Sequence, residues 1–193
     1  MGRIRLIAWA LVGLMLAVTL WFAVLAPRFD TAVQNTLGQG DYRLDTTDGT
    51  PFTADTLKGA PSAVFFGYAH CPDVCPTTLG DLAGWQGELG DAARDLRIYF
   101  ITVDPERDSL PMLRDYLSWS EGVTGVTGLR AEVDKALRAF RIYARKVGEG
   151  TDYTMDHTAY VILFDRDGRF VQTISYQEAP ETALPKLRAL LGG

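Results

Sequence analysis

The stretch that most limits what this chain can fold into is Ala63-Val64-Phe65-Phe66-Gly67-Tyr68. A strand with one wet face alternates apolar and polar residues, whereas a short run without alternation suits a central strand covered on both faces. Leu96-Arg97-Ile98-Tyr99-Phe100-Ile101-Thr102-Val103 reads as a second such strand, stopped by Asp104-Pro105. The first run leads directly into His70-Cys71-Pro72-Asp73-Val74-Cys75-Pro76, which holds both cysteines of the chain and one of its two histidines.

The remaining elements follow from periodicity and turn chemistry. Asp48-Gly49 is a hairpin turn signal between Asp41–Asp45 and Thr50–Thr53. Leu79, Leu82, Trp85 and Leu89 recur at helical spacing and predict a helix over Thr77–Leu89, weakened by Gly80, Gly84 and Gly87. Ser109 as cap and Pro111 in the first turn predict a helix through Trp119. Gly122–Gly128 reads as a loop, and Arg130–Arg141 as a helix with Val133, Leu137 and Phe140 on one face. A small hairpin is expected over Ile142–Tyr153, around Gly148-Glu149-Gly150. Ala159–Phe164 and Phe170–Tyr176 are further strands, and Glu181–Leu191 is the closing helix, with Pro185 placed to shift its start. A hairpin followed by β-α-β-α-α-β-β-α predicts a layered α/β domain, parallel early and antiparallel late. A cysteine pair between a central strand and the next helix is where thioredoxin-like folds keep theirs, so the expected fold class is thioredoxin-like α/β with an N-terminal β-hairpin.

From Leu6 to Ala26 no residue is charged, and that length in helix is about 30 Å, enough to span a bilayer. Arg3 and Arg5 precede it, and Trp9 and Trp21 lie near its ends. A single-pass, uncleaved anchor is favoured over a signal peptide, whose apolar core runs to about 7–15 residues. Positive residues stay inside, so the body is expected on the outer side of a bacterial inner membrane, in the periplasm. The expected organisation is an anchor over residues 1–26, a polar tether over 27–40 and one domain over 41–193. The formal net charge is −5, and with Arg3 and Arg5 set aside the remainder carries −7. An acidic body without a Lys/Arg cluster excludes nucleic acid as a partner, and two cysteines exclude a disulfide-built scaffold.

In the sulfur loop, Pro76 fits the first helical position, with Cys75 as the cap and Cys71 in the preceding loop. Both sulfurs then meet the positive end of a helix, which favours thiolate and serves metal binding and thiol exchange equally. His157, just ahead of the third central strand, would complete a set of two sulfurs and one nitrogen. Soft sulfurs select Cu(I), an imidazole admits Cu(II), and zinc would accept the same set with one open position. Asp156 is a candidate to orient the ligand region. Met155 would share a face with His157 and is either a weak thioether ligand or a packed side chain, the latter favoured. His70 is expected to pack or hydrogen-bond beside the loop. Asp104-Pro105-Glu106-Arg107-Asp108 reads as a charged loop at a strand end.

Phe66–Leu79, Thr102–Asp108 and Asp156-His157-Thr158 with a following strand and Asp-x-x-Gly resemble, in order, three signature blocks of the Sco/SenC family. Ala69 stands where many members have threonine. The resemblance implies a thioredoxin-like fold binding one copper through Cys71, Cys75 and His157. It implies a metallochaperone in assembly of the binuclear CuA centre of cytochrome c oxidase. Its partners would be the copper-accepting oxidase subunit and other copper chaperones or thiol reductants. The rival reading is a thiol–disulfide oxidoreductase that keeps the oxidase cysteines reduced, with Cys71 attacking and Cys75 resolving. A peroxidase of the same superfamily would need peroxide-dependent turnover at Cys71.

Overall fold

The structure, a computed structural model, describes residues 2–25 and 36–192. The chain divides into two units, residues 1–36 and 37–193. The first contains helix α1 (Gly2–Leu20), which continues as a π-helical turn over Trp21–Leu25. Arg5–Ala23 has a mean hydropathy of 2.3, and large apolar side chains from Leu6 to Phe22 are exposed around it. A helix apolar on all sides has no wet face to offer solvent. The Thr19 hydroxyl is returned to the Met15 carbonyl at 2.8 Å, as an apolar surrounding requires. By length and composition this helix can cross a bilayer.

The second unit runs β1 (Leu44–Thr46), β2 (Pro51–Phe52), β3 (Ser62–Gly67), α2 (Val74–Leu89), β4 (Arg97–Thr102), α3 (Leu110–Leu117), β5 (Val123–Thr127) and α4 (Arg130–Ala139). It continues through β6 (Ala144–Val147), β7 (Thr154–His157), β8 (Val161–Phe164), β9 (Phe170–Ile174) and α5 (Pro180–Leu191). Seven strands form one mixed sheet in the order β2-β1-β5-β4-β3-β8-β9, while β6 and β7 form a separate two-stranded ribbon. β3 lies between parallel β4 and antiparallel β8.

Both faces of β3 are covered, as its unbroken apolar run requires. Val64 and Phe66 pack with Leu44, Phe52, Phe140 and helix α4. Ala63 and Phe65 pack with Cys75, Leu79 and Leu82 of α2 and with Leu184 and Leu187 of α5. Ser109 caps α3 by accepting the Met112 N–H at 3.4 Å, in line with the sequence.

Three expectations change. Residues 122–128 are not a loop: they contain β5, hydrogen-bonded between β4 and β1. Gly125 at its centre and Gly122 and Gly128 at its flanks hide the strand locally, yet Gly125 is needed there. A Cβ at that position would lie 2.9 Å from both Leu117 and Thr47 side chains. The closing helix runs through Pro185 from Pro180, held by buried Ala183, Leu184, Leu187 and Leu190. The tether expected over 27–40 falls largely outside the described residues, but Leu37 is buried in the core and the Gly38 N–H donates to Ala139 at 2.9 Å. The packed unit therefore begins before Asp41.

Candidate metal centre

The site forms where β3 ends and α2 begins. Gly67 closes β3, and a Cβ there would stand 2.7 Å from the Cys75 sulfur. The sulfur thus rests directly on strand backbone, which only a glycine allows. Helix α2 starts earlier than the sequence suggested. Asp73 is its N-cap and Val74 its first residue, so Cys75 lies inside the first turn instead of capping it. Pro76 tolerates this because the first few helical N–H groups lack intrahelical partners in any case. Cys71 stays in the preceding loop, where its N–H donates to the Tyr68 carbonyl at 3.1 Å.

Both cysteines are free thiols, Cys71 half-buried and Cys75 buried. The Cys75 backbone N–H donates to Cys71 Sγ at 3.4 Å. The Cys75 thiol, hydrogen-bonded to Cys71, holds the Cys71 thiol well below its ordinary range. The His157 side chain and the Cys75 and Asp73 backbone add to this, against the cost of partial burial. The same hydrogen bond, with burial and the neighbouring negative charge, pushes the Cys75 thiol up. One sulfur is thus thiolate-like and approachable, the other protonated and enclosed.

His157 is the last residue of β7, opposite Ala144 across the ribbon, and lies just ahead of β8 of the main sheet, as the sequence predicted. Its ring meets Tyr68 edge-on at 5.8 Å. Nδ1 lies 2.9 Å from the Thr158 carbonyl oxygen. A carbonyl only accepts, so Nδ1 carries a hydrogen and Nε2 is the nitrogen left for a ligand role. Tyr68, Cys71, Pro72, Met155 and His157 line one open cleft of about 280 Å³. Among the described residues, no three His, Cys, Asp or Glu side chains are already drawn tightly around one point.

Asp156 does not orient the imidazole. It is exposed, 3.9 Å from cross-strand Arg145, and the Thr158 carbonyl takes that task. His70 is half exposed, with Nδ1 3.7 Å from Asp108 Oδ1. The Asp104–Asp108 segment proves to be more than a charged loop. Asp104 and Asp108 are fully buried. Asp108 accepts from the Ala69 N–H at 3.0 Å and the Thr102 hydroxyl at 2.6 Å, tying the sulfur loop to the end of β4. Burial pushes its carboxyl up. Arg107 and Tyr153, which the sequence reading did not single out, join Asp104 next to the ribbon. The second signature block contains Arg107; no sequence signal pointed to Tyr153.

The Cys71 sulfur and an imidazole at one cleft, with the Cys75 sulfur enclosed behind them, can hold a soft or borderline cation, and the sulfur pair can also exchange electrons. Fold and site together define a thioredoxin-like α/β protein with a Cys-x-x-x-Cys helix start and a histidine brought in on an added ribbon. More narrowly, the chain belongs to the SCO1/SenC family, whose model matches residues 30–192. It is 34% identical over 154 residues to the mitochondrial protein SCO2 of Saccharomyces cerevisiae, covering 77% of this chain and 51% of that protein. The chain thus spans about half the length of that relative. Copper-bound ScoI of Bradyrhizobium japonicum is similar at 41% identity and a TM-score of 0.73, over 80% of this chain and 99% of that one. Copper-bound yeast Sco1 is similar at 33% identity and a TM-score of 0.74, over 82% and 90%.

Proposed function

We propose that this protein is a membrane-anchored copper chaperone. It holds one copper ion on the sulfurs of Cys71 and Cys75 and on Nε2 of His157. It passes the ion to a copper-accepting subunit of cytochrome c oxidase during assembly of the CuA centre. The observation that carries this reading is that Cys71 and a His157 whose Nδ1 is already committed to a carbonyl line one cleft, with the Cys75 N–H on the Cys71 sulfur. Soft sulfur donors select Cu(I), and the imidazole extends the set to Cu(II). The copper-bound states of two similar Sco proteins support the same cargo here. Arg3 and Arg5 ahead of the apolar helix support an inner-membrane anchor with the packed unit in the periplasm.

The geometry supports a direction for the exchange. Cys75 is enclosed, whereas Cys71 and His157 line the open cleft. An incoming ligand of the acceptor therefore replaces a cleft-side donor first and Cys75 last. Loading must also displace the Cys75 proton, so copper affinity falls as pH is lowered. The test is titration of the reduced full-length protein in detergent with Cu(I) against a chromophoric competitor. One equivalent binds, and Cys71→Ser, Cys75→Ser and His157→Ala each weaken it. Stoichiometric binding that survives Cys71→Ser combined with His157→Ala would overturn the assigned site.

A second reading has its own support: the lowered, half-exposed Cys71 beside a buried Cys75 is an attacking and resolving thiol pair. That role needs no imidazole. Loss of oxidase assembly in His157→Ala with an unchanged disulfide potential refutes a purely thiol-based role.

A further inference from the structure

The ribbon that carries His157 is not part of the seven-stranded sheet. Its outer strand β6 is mostly exposed and β7 alternates exposed with half-buried positions, so core burial alone does not fix it. The bonds between Tyr143 and Thr158 close the ribbon on itself, without reaching the sheet. Tyr68, at the end of β3, meets the His157 ring and the Met155 backbone, and half-buried Ala144 and Met155 rest on the core; the remaining link is a group of side chains at the end of β4. Arg107 donates from Nη1 to the Tyr153 carbonyl at 3.0 Å and from Nε to Asp104 Oδ2. Its guanidinium carbon lies 3.7 Å from the centroid of the Tyr153 ring. The Tyr153 hydroxyl donates to the other carboxylate oxygen, Asp104 Oδ1, at 2.8 Å. Lys146 of β6 also lies 3.7 Å from that ring centroid. Asp104 is fully buried, and its own N–H is held by the Thr102 hydroxyl at 2.9 Å. One fixed carboxylate therefore grips an arginine and a tyrosine, and both grip the ribbon just before β7 begins.

We propose that Asp104, Arg107 and Tyr153 are a clamp whose function is to position His157 for the metal. Arg107 and Tyr153 are positioning residues that act through the ribbon and touch no cargo. The planar guanidinium is required because it serves a carboxylate, a carbonyl and an aromatic face at once, which an ammonium cannot do. The inference rests on His157 being a copper ligand.

The test uses the full-length reduced protein in detergent, with copper itself as the probe. Affinity is read by competitor titration, and nitrogen coordination by electron paramagnetic resonance of the Cu(II) form. Tyr153→Leu removes both the ring and the hydroxyl and leaves the Arg107–Asp104 pair intact. It lowers copper affinity by about 10- to 100-fold, the range for residues that support a metal ligand, and diminishes the imidazole nitrogen coupling. Tyr153→Phe keeps the stacked ring and gives a smaller loss, and Arg107→Lys behaves like Tyr153→Leu. In a His157→Ala background the Tyr153→Leu change shifts affinity by less than about twofold, because the group it positions is gone. Unchanged affinity and spectrum in Tyr153→Leu and Arg107→Lys, while His157→Ala does weaken binding, overturns the clamp. So does an equal loss in both backgrounds, which would mean a general effect on the fold. If His157→Ala leaves wild-type binding unchanged, the ligand assignment fails first and the clamp falls with it.

Discussion

Replacing Gly67 by alanine presses directly on the sulfur site. The new Cβ would stand 2.7 Å from the Cys75 sulfur and 2.7 Å from Phe100 Cε2. Cys75 and Phe100 are both fully buried, so neither has open space to retreat into. Forcing one methyl into a filled core costs about 1–3 kcal/mol. For a unit of this size each kcal/mol lowers the melting midpoint by roughly 2–4 °C, so the expected loss is roughly 2–12 °C. The displaced sulfur should also bind copper less tightly. Gly84→Ala is the matched control. It lies in the exposed interior of α2 with no atom within 4 Å of its added Cβ. The extra methyl there removes backbone freedom from the unfolded chain and should stabilise by roughly 0.5–1 kcal/mol. The assay is a circular-dichroism melt of each copper-free variant, followed by Cu(I) competition. A Gly67→Ala protein that melts within about 1 °C of wild type and binds copper as well would refute the packing account of this glycine.

Three further outcomes follow from the same geometry. Phe140 is fully buried and its ring meets those of Tyr42, Phe52, Phe66 and Phe164. Phe140→Ala should cost about 3–5 kcal/mol in a denaturant titration. Hydrogen bonding to Arg130 holds Glu106 down to about 2 from an ordinary 4.5. The folded value lies below the unfolded one, so this pair stabilises above about pH 4.5 and that contribution is lost as pH falls toward 2. With Glu106 half exposed the effect is below about 1 kcal/mol; Glu106→Gln should flatten that part of the pH–stability curve. The raised Asp108 carboxyl contributes with the opposite sign and is left untouched by that substitution. In copper-free, reduced protein, alkylation by iodoacetamide should label Cys71 well below pH 7 and spare Cys75. Labelling of both at equal rates would contradict the division into one exposed thiolate and one enclosed thiol.

Much of this protein is written locally. A short apolar run without alternation suits a strand covered on both sides, and β3 is one. Ser109 ahead of Pro111 states a helix start in side-chain chemistry, and α3 begins there. The cysteine pair and His157 were identifiable because their residue types are rare and their signature blocks are specific. Other features are not local. β5 is short and centred on Gly125 between flanking glycines, and it becomes a strand because β4 and β1 supply its hydrogen bonds. The helix after the sulfur loop takes in Cys75 because its proline falls where an N–H is dispensable. Asp104 is charged and lies in a turn-like stretch, so its sequence announces exposure. It is buried because Arg107 and a tyrosine 49 positions further along the chain satisfy it. Likewise the imidazole's free nitrogen is set by its neighbour's carbonyl, whose direction only the folded ribbon determines. The sequence alone singled out the candidate donor residues and the sheet that backs them. The tertiary structure decided which thiol is open, which imidazole nitrogen is free and what holds it there, because those depend on partners that chain order does not bring together.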